Sequence, residues 1–70
     1  MSNSDMLEKL IENENKKDII EENKLYNNES FSRVVGSEYN YLLNISNPTK
    51  KYIDRLNKVK KIVDIINEYF

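Results

Sequence analysis

The chain has 70 residues, 39% hydrophobic and 33% charged, with a formal net charge of −1. That length holds one small domain, 1–70, and excludes a second, because so short a chain buries only about 60% of its unfolded surface. With no Cys and no His there are no disulfides, thiol nucleophiles, imidazole bases or usual zinc ligands, so no metal, no cofactor and no enzyme activity is expected.

Gly and Pro occur once each, β-branched alternation is absent, and apolar residues recur at intervals of three and four. This pattern predicts an all-α protein. The first helix starts near Ser2 or Ser4 as N-cap and sets Met6, Leu7, Leu10 and Ile11 on one face. The polar run ENENKKD interrupts it before Ile19 and Ile20 resume the pattern, so residues 5–25 read either as one long helix with a polar patch or as two helices meeting near 13–15. Helical character ends around 24–26, and Asn27 and Asn28 then offer side-chain oxygens to cap a new start.

In that next segment Phe31, Val34 and Val35 face inward and Arg33 faces out, giving a stub of about two turns before Gly36. A left-handed residue after a helix costs a side chain with a Cβ roughly 1 kcal/mol, and glycine avoids it. Gly36 is therefore read as the helix terminator and Ser37 as the cap of the following helix, with Leu42 and Ile45 buried and Glu38, Tyr39, Asn40, Leu43 and Asn44 nearer the outside. Asn47-Pro48-Thr49 is the clearest breaker, and Pro48 suits the first turn of a new helix. From 49 to 69 a stripe of Ile53, Leu56, Val59, Ile62, Val63 and Ile66, with Tyr69 or Phe70, predicts one long helix or a helix pair; Lys50, Lys51, Arg55, Lys58 and Lys61 lie mostly off it. The stripe also offers a dimer seam.

Helix, glycine turn, short helix is the arrangement of a helix-turn-helix, whose second helix projects into the DNA major groove. Ser32 is small where the helix pair must approach, Leu42 can close the corner, and Phe31, Val35 and Ile45 are apolar where the pair must pack. The segment LYNNESFSRVVGSEYNYLLNISNPTKK resembles the Cro and phage-repressor type of helix-turn-helix domain, the lambda-repressor-like or Xre family, over about residues 20–63. The resemblance implies a four- to five-helix bundle with the helix-turn-helix at approximately 28–46. It also implies phosphate contact by Asn28, base contacts by Tyr39, Asn40 and Asn44, and further backbone contacts by Asn47, Lys50 and Lys51. Glu38, at the head of the recognition helix, would repel a phosphate or accept from a cytosine amino group. Arg55 extends the backbone contacts, although Lys50, Lys51 and Arg55 also fit an ordinary solvated face, and Tyr41 serves equally as a packing group.

Charge is polarised along the chain. Four lysines against eight carboxylates leave residues 1–30 at −4, whereas seven cations against four carboxylates leave residues 31–70 at +3. The expectation is a sequence-specific DNA-binding regulator, a small repressor or Cro-like protein, that reads the major groove of double-stranded DNA with residues 38–46 as a homodimer joined through its C-terminal helix. The competing expectation is a helical protein-interaction or inhibitor protein of phage or plasmid type, acting through the acidic first helix or the C-terminal apolar stripe. The start MSNSDMLEKL has no basic segment followed by an apolar core, and no apolar run approaches the roughly 20 residues of a membrane span. The chain is thus expected in the cytoplasm, with no membrane and no small-molecule substrate.

Overall fold

A computed structural model describes residues 2–70. Ser2 opens the first helix, α1 (Asn3–Glu12), by accepting a hydrogen bond from the Asp5 amide at 3.1 Å. The polar run ends it: Asn13 folds back to accept from the Asn15 amide at 2.8 Å, and a second helix, α2 (Lys16–Glu22), begins beyond that turn. Residues 5–25 therefore form two helices and not one. A short 3-10 turn (Leu25–Asn27) leads to α3 (Glu29–Leu43), for which Asn28 is the N-cap, accepting from the Phe31 amide at 3.0 Å. The last helix, α4 (Lys50–Asn67), is single and unbroken. Among the described residues there are four α-helices and no strand, an all-α fold.

Leu7, Leu10 and Ile11 of α1, Ile20 of α2, Leu25 of the turn, Phe31, Val35 and Leu42 of α3, and Val59, Ile62 and Ile66 of α4 form the core. Phe31 is the largest of its fully buried side chains. The helix α3 packs on α4 and on α1, and α4 also meets α2 and the 3-10 turn. At the far end of α4 the rings of Tyr69 and Tyr26 stack with centroids 4.2 Å apart, tying the chain end to the 3-10 turn.

The steep corner expected at Gly36 is absent. The helix α3 runs straight through Gly36 and Ser37, so Ser37 caps nothing and residues 28–46 do not form two crossed helices. Packing decides this. Val35 and Leu42 are seven residues apart, two turns along one face, so a helix that continues between them buries both against the same core. Burying a Leu side chain contributes roughly 1.5–3 kcal/mol, against about 1 kcal/mol lost by a glycine inside a helix. The left-handed positions lie elsewhere, at Lys24 (φ 51°) and Asn47 (φ 54°), where the chain turns out of α2 and into α4. The C-terminal stripe is likewise consumed by the domain itself: Val59, Ile62 and Ile66 are buried, Leu56 and Val63 half-buried, and Ile53 and Phe70 remain exposed.

Candidate functional site

The residues expected to face DNA divide into two sets. Glu38 and Arg55 are engaged inside the fold. Arg55 Nε donates to Glu38 Oε1 at 2.6 Å, Nη1 donates to Glu8 Oε2 at 3.2 Å, and Nη2 donates to Glu8 Oε1, so one guanidinium clamps α1, α3 and α4 together. These bonds to Glu8 and Glu38 raise the Arg55 pKa further, and the bond to Arg55 holds the Glu8 carboxyl below its ordinary value. Glu38, expected at a base, and Arg55, expected at a phosphate, thus have partners within the fold, and sequence spacing gave no sign of it because the Glu8–Arg55 pair spans 47 residues. Tyr39 is half-buried and packs against the core.

The second set gathers where α3 stops and α4 starts. Asn44 ends α3, its side-chain nitrogen donating to the Asn40 carbonyl at 2.7 Å, which leaves its oxygen free. Asn40, Asn47, Lys50 and Lys51 are exposed around the same connection, 44–49. Lys50 and Lys51 stand in the first turn of an 18-residue helix that carries no acid there and whose cap residue, Thr49, accepts no side-chain bond. The first-turn amides thus keep their donors beside two ammonium groups. Asn28 lies apart from this group, its side-chain oxygen used by the cap of α3.

Sequence reading missed a second basic surface. Lys16, Lys17, Lys58 and Lys61 line a depression of about 650 Å³ with Glu14, Asp64 and Ile65, between the start of α2 and the middle of α4. Lys58 also borders a neighbouring hollow of about 470 Å³, shared with Ile11, Lys50, Lys51, Asp54 and Arg55. Lys16 is 9% exposed, and its ammonium donates to the Asn13 carbonyl at 2.6 Å and the Ile11 carbonyl at 3.5 Å, satisfying groups left open at the end of α1. Burial first, then the nearby Lys61 and Lys58, push its pKa down. The only sequence signal was that Lys58 and Lys61 fall off the apolar stripe; that α2 would supply Lys16 opposite them is a tertiary fact.

Comparison with protein-family models, with curated proteins and with solved structures found no match. No helix is long and apolar enough to cross a membrane among the described residues.

Proposed function

We propose that the protein is a small DNA-binding regulator, repressor-like or Cro-like, that grips the duplex mainly through its phosphates at the end of the bundle where α3 gives way to α4. The observation that carries this reading is the joint exposure of Asn40, Asn44, Asn47, Lys50 and Lys51 around one connection, next to an uncapped and acid-free helix start. Two ammonium groups and a positive helix end suit a backbone phosphate, and an exposed Asn amide suits adenine, which it can meet with two hydrogen bonds. Asn40 is the residue that reads sequence in this arrangement; the lysines position.

A second reading has its own support. Tyr41 and Leu43, 60% and 52% exposed, lie near Tyr52 and Ile53 in sequence on the two sides of the same connection, apolar surface suited to another protein, including a second copy of this chain.

Gel shift against random duplex DNA at low salt, followed by selection of the bound sequences, tests the proposal. A retarded complex is expected, with Lys50→Ala or Lys51→Ala weakening all sequences alike and reducing the salt slope by about one unit each. Asn40→Ala should instead relax the preference at one base pair. Absence of any complex at low salt overturns DNA binding and favours the protein-contact reading.

A further inference from the structure

We propose that the depression between the start of α2 and the middle of α4 is a phosphate-binding site in which Lys16, Lys58 and Lys61 hold the phosphate oxygens. This inference stands on the depression itself and does not require the Lys50 and Lys51 contacts. Four lysines line it, Lys16, Lys17, Lys58 and Lys61, against Glu14 and Asp64, so the lining carries +2, the charge that a phosphate dianion would neutralise. Lys17 is partly engaged, 3.7 Å from Glu68, whereas Lys16, Lys58 and Lys61 have no ion pair among the described residues.

The placement of Lys16 separates this surface from a solvated charge run. Surface lysines ordinarily extend into water and apart from one another. Lys16 is instead withdrawn to 9% exposure, its ammonium fixed by two carbonyls at the end of α1, which leaves one of its three N–H donors without a protein acceptor. Glu14 and Asp64 offset only part of the positive charge gathered around this partly desolvated ammonium, so a further anion there is favourable. Lys58 and Lys61 are three residues apart on α4 and so lie on one face, where they can close on the opposite side of an anion held by Lys16. A tetrahedral oxyanion accepts several such charge-assisted bonds at once. The chemistry is that of a phosphate group, whether on a free phosphorylated compound or in a nucleic-acid backbone.

Titration of the full chain with pyrophosphate in a phosphate-free, low-salt buffer, followed by amide NMR shifts, tests the site. Saturable shifts are expected around 14–17 and 58–65, and Lys58→Gln combined with Lys61→Gln should weaken binding by roughly tenfold or more. Lys9→Gln combined with Lys60→Gln removes the same charge from positions that do not line the depression and should change affinity by about twofold at most. Both pairs are exposed side chains, so a thermal melt confirms that each variant is folded. No saturable shift in the parent protein, or equal weakening by the two pairs, overturns the proposal. Duplex DNA then identifies the source: if pyrophosphate displaces DNA and the Lys58 and Lys61 changes weaken both, the phosphate belongs to the backbone. If DNA binding persists while pyrophosphate occupies the site, the ligand there is a free phosphorylated compound and DNA is held elsewhere; if DNA never binds while pyrophosphate still does, the ligand is again a free phosphorylated compound and only the DNA reading falls.

Discussion

A Cβ added at Gly36 would meet no atom within 4 Å, and the backbone there is not left-handed. Gly36→Ala should therefore stabilise the protein by about 1 kcal/mol, raising the melting temperature by a few degrees, because alanine removes the conformational entropy that glycine surrenders in a helix. A glycine turn at the same position would give the opposite sign, since alanine would then be forced into a left-handed conformation. One thermal melt thus separates a continuous α3 from a helix-turn-helix corner. Lys24 and Asn47 do what the glycine was expected to do; Asn tolerates the left-handed region by local hydrogen bonding, and Lys24 holds it because Leu25 just beyond is buried in the core.

At the scale of the elements, the Arg55 clamp is the polar link that joins three helices. Side-chain exposures of 28% for Arg55 and 50% for Glu8 mean that solvent screens the pair, so its contribution at neutral pH is about 1 kcal/mol or less. Its pH dependence has a definite sign. Glu8 is held below 4.5 in the folded protein, so its contribution is fully present above that pH and is lost as the pH falls through the lower folded value. Melts between pH 7 and 2 should show this as a falling transition temperature. Glu8→Gln should lower stability slightly at pH 7 and flatten the acid limb; an unchanged acid limb would show that the pair does not couple to folding. Lys16 acts at another junction by closing the end of α1, which is why exposed Lys58 and Lys61, and not Lys16, are the positions to vary when binding is tested.

For the whole molecule, the margin is small. With a radius of gyration of 11.7 Å, the described residues have one core, which includes the fully buried Phe31 and is shared by all four helices, and no disulfide or second core to fall back on. Removing a buried Phe costs about 3–5 kcal/mol, comparable to the total stability expected for a domain this small. Phe31→Ala should therefore abolish the cooperative thermal transition and most of the helical circular dichroism together, since α3 alone would not keep its helix in water. Retained helicity with a sharp transition would mean that the core is not one unit. The polar distribution of charge also acts at this scale: α4 brings its lysines against the start of α2, so basic residues that are distant in the sequence share one surface on a chain whose net charge is −1.

Period and punctuation in the chain were sufficient for the all-α class, the cap at Asn28, the break around Pro48 and most of the core stripe of α4, because each depends on neighbours within about a turn. They also separated the basic second half from the acidic first. Whether α3 bends at Gly36 depended on Val35 and Leu42 both meeting the rest of the core, a balance between burial and helix propensity that no local window contains. The pairing of Arg55 with Glu8 and Glu38, and the meeting of Lys16 with Lys58 and Lys61, were likewise decided only by tertiary structure. Charges attract or repel according to distance in space, and the packing of α1 and α2 on α4 is what sets that distance.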